Sequence, residues 1–119
     1  MVKILQNILK REDKIVFGYL FGSFAEESYN DRSDVDIALY FQDYNLDLHL
    51  DISLKISKAL QRECDLIVLN KIKNLYLVEN IISKGILLKD DNDKRIEFEL
   101  QMHHDYIDFV EFKKVLNAS

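Results

Sequence analysis

The sequence has no proline, only three glycines and a single cysteine in 119 residues. With so few chain breakers, and with no low-complexity tract or repeat, nothing marks a linker, and one domain spanning residues 1–119 is expected. The lone Cys64 excludes an internal disulfide, which suits a reducing compartment such as the cytoplasm. Long apolar runs are also missing. No window approaches the ~18 apolar residues of a membrane span, and Met1 to Asp13 alternate apolar with charged groups instead of forming a signal-peptide core. Neither membrane insertion nor export is expected. Positive charge is scarce: 16 Lys and Arg against 21 Asp and Glu leave a net charge of -5. Nucleic-acid affinity rests largely on cations that displace condensed counterions, so direct binding of DNA or RNA is not expected. Divalent metals gathered by acidic residues would soften that charge argument.

What is present is a globular balance, 48% hydrophobic and 31% charged, in a chain long enough to bury one modest core without metal or disulfide staples. Leu5, Ile8 and Leu9 fall at i, i+3, i+4 and predict a short amphipathic helix over Val2 to Arg11. The β-branched and aromatic run Lys14 to Phe21 reads as a buried strand ended by Gly22. A short helical piece, Phe24 to Ser28, and an Asn/Asp/Ser loop, Tyr29 to Ser33, lead into a second strand, Val35 to Phe41. Residues 43 to 60 are ambiguous: Leu46, Leu48, Leu50, Ile52, Leu54 and Ile56 alternate at a strand period, yet Ile52, Ile56, Ala59 and Leu60 fit a helical face. A helix over about 48 to 61 is preferred, because parallel neighbours require a crossover. Asp65 to Leu69 reads as a third strand and Ile72 to Lys84 as a helix stopped by Gly85. Ile86 to Lys89 reads as an edge strand, and a long amphipathic helix runs from Asp91 or Asn92 to Leu116. The alternation predicts an α/β fold, a short mixed sheet with helices packed on it and a long C-terminal helix.

The chemistry concentrates in Gly22-Ser23, ten intervening residues, and then Asp34-Val35-Asp36 at the head of an apolar strand. Side chains alternate along a strand, so Asp34 and Asp36 share one face while Val35 enters the core. Two carboxylates in one small volume are costly unless a cation neutralises them, and oxygen-only ligands suit Mg²⁺ or Mn²⁺. An antiparallel first strand would bring Gly22 beside Asp34, and a parallel third strand would bring Asp65 to the same edge. Gly22 would let the backbone approach a phosphate, and Ser23 would donate to phosphate oxygens.

This pattern closely resembles the nucleotidyltransferase superfamily, with its Gly-Ser, spacer, Asp-x-Asp and later Asp. Within it the chain is similar to the minimal nucleotidyltransferase (MNT) antitoxins that accompany HEPN-domain ribonuclease toxins. The similarity runs through FGSFAEESYNDRSDVDIALYF, CDLIVL, NLYLVENIISKGILL and RIEFELQMHHDYIDFVEF. It implies ATP as substrate, two Mg²⁺ ions (or Mn²⁺) on Asp34, Asp36 and Asp65, and nucleotide binding at Gly22 and Ser23. It further implies transfer of AMP to a tyrosine hydroxyl of a cognate HEPN toxin. Two alternatives stay open: an antitoxin that acts by binding alone, and an enzyme that modifies a small-molecule hydroxyl. Many relatives carry Arg-Gly where this chain has Glu26-Glu27, which removes a positive charge near the triphosphate, and Arg32 is the nearest basic residue in sequence.

Other conspicuous residues have plainer readings. Glu63 and Asp31 are expected at the surface, and Cys64 as a small apolar residue beside the third strand. His103 and His104 are adjacent on a helix and point about 100° apart, so they do not form a paired site. On the last helix Ile96, Leu100, Ile107 and Val110 form one apolar stripe, and Phe98, Met102, Tyr106, Phe109 and Leu116 another. Such an all-round apolar helix is either deeply buried or shared with a partner, and a contact with the toxin is expected.

Overall fold

The computed structural model describes residues 1–91 and 93–118. In chain order the elements are α1 (Val2–Lys10), β1 (Ile15–Phe21), a 3₁₀ turn at Gly22–Phe24, β2 (Val35–Phe41), α2 (Leu46–Leu60) and β3 (Cys64–Val68). A second 3₁₀ turn at Leu69–Lys71 is followed by α3 (Leu75–Lys84), β4 (Ile86–Lys89) and α4 (Asp93–Ala118). The strands form one mixed sheet in the order β3-β2-β1-β4, with β2 and β3 parallel and the other pairs antiparallel.

Alternation along β2 divides the molecule into two layers. Val35, Ile37, Leu39 and Phe41 enter the core formed with Leu5 and Leu9 of α1 and Ile52 and Ile56 of α2. Ala38 belongs to the opposite core, with Phe17, Tyr19 and Phe21 of β1 and Ile81 of α3, and Tyr40 packs against it. Asp36 shares the parity of Ala38 and Tyr40, so it stands on the α3/α4 side of the sheet. Past the end of β3, the Asn70 side chain continues the ladder: it accepts from the Phe41 amide and donates to the Phe41 carbonyl, both at 2.8 Å.

The ambiguous segment is helical. Its strand-like alternation resolves into two i, i+4 lines on opposite sides of α2: Leu48, Ile52 and Ile56 face the core, and Leu46, Leu50 and Leu54 face outward. The helix begins at Leu46, two residues earlier than expected, because the Asn45 side chain accepts from the Leu48 amide at 3.2 Å. By contrast α3 begins at Leu75 and not at Ile72, since Asn74 is the residue placed to cap, accepting from Leu77 N at 3.2 Å. Gly85 does end α3, but in an extended conformation and not the left-handed one expected of a glycine cap. Its lack of a side chain is required by close approach instead, because a Cβ there would overlap the Ile81 carbonyl oxygen and crowd that of Leu20.

The α4 helix is neither deeply buried nor apolar all round: it packs along one side only. Phe98 packs against the rings of Phe17 and Tyr40, Tyr106 and Phe109 meet Tyr76, and the Tyr19 hydroxyl donates to Glu99 Oε1 at 2.5 Å. Ile96, Leu100 and Ile107 are exposed on the other side, and Leu116 is exposed as well. The helix is described from Asp93; Asn92, one of its two expected starts, lies outside the described residues. No helix among the described residues is long and apolar enough to cross a membrane.

Candidate active site

The strand register assembles the predicted pieces at one edge of the sheet. Asp36 on β2 pairs laterally with Phe21, the last residue of β1, and on its other side with Asp65 of β3. The antiparallel β1 and the parallel β3 anticipated from the sequence are both present, and they make this row of three. Asp34 precedes Asp36 by two residues and shares its face. Asp34 and Asp65 are exposed, whereas Asp36 is half-buried.

Burial holds the Asp36 carboxyl above its usual range, and the charges of Asp65 and Asp34 push it further in the same direction. Asp36 thus lies close enough to both neighbours to feel their charge. Next to them, Gly22 adopts φ +74°, a left-handed conformation that glycine accepts without strain, and a Cβ at this position would overlap Oδ2 of Asp36. The backbone of the Gly-Ser turn therefore lies directly against the central carboxylate. Ser23 follows in a single 3₁₀ turn closed by the Ala25 and Glu26 amides, each 3.1 Å from the Gly22 carbonyl oxygen. This turn starts two residues before the expected helical piece and contains three residues, so Gly22 and Ser23 sit in a tight turn and not at a helix N-terminus.

Glu26 is exposed and lies 3.8 Å from Lys84 Nζ at the end of α3, so a basic side chain reaches this side of the turn from another element. Glu63 and Asp31 are exposed surface residues, as expected. Cys64 is partly buried, and its thiol is pushed up to about 12 by burial and by Asp65 and Asp36, which suits an inert packing residue. His103 and His104 contact Glu79 and Asp108 on α3 and α4, away from the aspartates. A cleft of about 990 Å³, lined by Leu20, Phe24, Tyr29, Arg62 and Ile86, opens beside the turn, and none of the three aspartates lines it.

The donor chemistry suits a divalent cation: three carboxylates, all oxygen donors, with a crowded charge at Asp36 that a cation would relieve. Among the described residues no three such side chains already converge as a metal site. The carboxylates of Asp34 and Asp65 are exposed, which leaves them room to turn. Sequence reasoning missed Arg62, which contacts both the loop before Asp34 and the ring that follows Ser23. No periodicity or motif singles it out.

A mixed sheet that brings a Gly-Ser turn, two strand-borne aspartates and a third just before β2 to one edge defines the architecture of a nucleotidyltransferase. The chain belongs to the polymerase beta nucleotidyltransferase family, whose signature matches residues 3–94. It is 32% identical over 77 residues to a protein of Methanocaldococcus jannaschii named as a candidate protein adenylyltransferase, an alignment covering 64% of this chain and 79% of that one. Among solved structures, a chain of a toxin-antitoxin complex with AMP-PNP superimposes with a TM-score of 0.80 at 21% identity, covering 98% of this chain and 96% of that one. A chain from the tri-AMPylated HEPN toxin of Shewanella oneidensis in complex with its MNT antitoxin gives 0.72 at 20% identity, covering 99% and 98%. These likenesses show that the fold, long C-terminal helix included, is that of the structures matched.

Proposed function

We propose that this protein is an MNT-type antitoxin, a cytoplasmic protein adenylyltransferase that transfers AMP from ATP to a tyrosine hydroxyl of a cognate HEPN toxin. The observation that carries this reading is the row Phe21, Asp36 and Asp65, which sets two carboxylates beside the Gly22-Ser23 turn. The M. jannaschii relative and the AMPylated toxin of the Shewanella complex support the choice of reaction and partner.

In this reaction the acceptor oxygen attacks the α-phosphorus of ATP; the new O–P bond forms as the bond to the β-phosphate oxygen breaks, and pyrophosphate leaves. Gly22 lets the backbone approach the phosphates, and Ser23 donates to their oxygens. Asp34, Asp36 and Asp65 would hold two Mg²⁺ ions. When bound, these neutralise the triphosphate and the attacking and leaving oxygens. Asp65, on the outer strand of the row, accepts the acceptor's proton. A phenol has a pKa of about 10 and needs such a base at neutral pH. The exposed stripe Ile96, Leu100 and Ile107 of α4 is the contact surface for the toxin.

A reading in which binding alone neutralises the toxin draws on one observation: an exposed carboxylate, Glu26, stands close after the Gly-Ser turn and engages Lys84, at a position where the family resemblance implies an arginine. Isotopic labelling tests the chemistry directly. With a HEPN toxin as acceptor, label from the α-phosphate of ATP should enter protein and label from the γ-phosphate should not. Entry of γ-label would make the reaction phosphoryl transfer, and entry of neither would favour binding alone.

A further inference from the structure

The loop from Ala25 to Asp34 separates the two halves of the active-site motif, and one side chain outside the motif touches both ends of it. Arg62 Nη1 donates to three loop carbonyls, those of Asn30 at 3.3 Å, Asp31 at 3.4 Å and Ser33 at 3.1 Å. Its guanidinium carbon also lies 4.9 Å from the centroid of Phe24, the residue after Ser23, and Phe24 in turn stacks on Tyr29 with centroids 4.5 Å apart. The loop is itself an ordered turn: Ser33 Oγ accepts from the Asn30 amide at 2.9 Å, and Asn30 Oδ1 accepts from the Arg32 amide at 2.8 Å.

Arg62 is anchored where the third carboxylate enters. Gln61 ends α2 in a left-handed conformation, and both the Gln61 and Arg62 amides donate to the Ser57 carbonyl. The next residue, Glu63, accepts from the Val35 amide at 2.9 Å, and Asp65 follows in β3. Three carbonyl oxygens converging on one point create a negative site that a cation must fill. A planar guanidinium can do so while also lying over an aromatic ring, which a lysine ammonium on its flexible stem does not reproduce.

We propose that Arg62 is a positioning residue that fixes the Gly22-Ser23 turn relative to Asp34, Asp36 and Asp65, so that nucleotide and carboxylates meet in reactive geometry. This inference rests on the nucleotidyltransferase reading. It assigns Arg62 no contact with substrate, and small misplacements of a site are enough to cost catalysis heavily.

The test compares Arg62→Lys and Arg62→Ala with the wild-type chain by AMP-transfer kinetics, thermal melting and amide exchange without nucleotide. For Arg62→Lys the expected result is a kcat lowered by about ten-fold or more, an ATP KM within about three-fold of wild type, and a melting temperature within a few degrees. The amides of Asn30, Arg32, Ser33 and Val35 should exchange faster, and added guanidinium ion should restore part of the kcat of Arg62→Ala. Wild-type kcat with unchanged loop exchange in Arg62→Lys would overturn the proposal. So would a kcat loss that only matches a loss of folded protein. If the wild-type chain transfers no nucleotide, the functional reading fails, and loop exchange still decides whether Arg62 ties the two halves together.

Discussion

Gly22 and Asp36 are in such close apposition that a single methyl group on the glycine would overlap the carboxylate oxygen Oδ2. The φ of +74° at Gly22 adds a second reason for glycine, since an alanine there is strained whatever the space. Gly22→Ala should therefore lose about 1–3 kcal/mol of stability and displace Asp36. We expect nucleotidyl transfer to fall by more than ten-fold, measured in α-label transfer assays at a temperature where the variant remains folded.

The crowded carboxylates make a prediction about pH. Asp36 is raised by burial first, then by Asp65 and Asp34. A carboxyl raised in the folded state contributes stability that is fully present below its unfolded value and is lost as pH rises through its folded value. Asp36→Asn has no such loss, so without metal its melting temperature should exceed that of wild type by a few degrees at pH 7, and the gain should vanish near pH 3. Added Mg²⁺ should raise the melting temperature of wild type and not of the variant. A gain equal at both pH values would mean that repulsion at Asp36 is not its source.

The proposed function gives Asp65 a narrower role than the other two aspartates, because it stands on the outer strand of the row. Asp65→Asn should slow AMP transfer by at least about a hundred-fold, within the range for loss of a general base, and leave ATP affinity nearly unchanged. Titration calorimetry and turnover on the same variant separate these quantities. An affinity loss as large as the rate loss would place Asp65 in the nucleotide site.

Much of this arrangement was legible in the chain itself. The Asp34-Val35-Asp36 alternation and the apolar runs on either side specify the face and the strand, and local patterning suffices for that. The helical period of residues 46 to 60 was hidden because an i, i+2 alternation of apolar residues is also two i, i+4 lines. Only the presence of a core on one side distinguishes the two. The start of α3 at Leu75 depended on a single capping side chain, Asn74. Arg62 and the Tyr19-Glu99 contact were illegible, since they join residues 32 and 80 positions apart or thereabouts through tertiary packing alone.

That second contact fastens α4 to the sheet. Burial raises the Tyr19 hydroxyl well above its ordinary value, with the Glu99 hydrogen bond next in effect, while Arg95 bridges Glu99 and Asp90 at 3.0 and 2.8 Å. Tyr19→Phe should cost about 1–3 kcal/mol at neutral pH, as for a hydrogen bond to a charged group. Stability held by a raised tyrosine is present below the unfolded value of about 10 and is lost as pH climbs towards the folded one. The gap between wild type and Tyr19→Phe in denaturant titrations should accordingly narrow above about pH 10. A gap constant with pH would show that the hydroxyl is not held neutral by the fold.

If the proposed function holds, this chain acts on its partner by catalysis at Asp34, Asp36 and Asp65. The most direct measurement is the intact mass of the cognate HEPN toxin after incubation with ATP, Mg²⁺ and a small fraction of an equivalent of this protein. Nearly all of the toxin should gain one or more AMP units and lose ribonuclease activity, and Asp34→Asn should produce neither change. Toxin of unmodified mass that is inhibited only at stoichiometric protein, and equally well by Asp34→Asn, would contradict it.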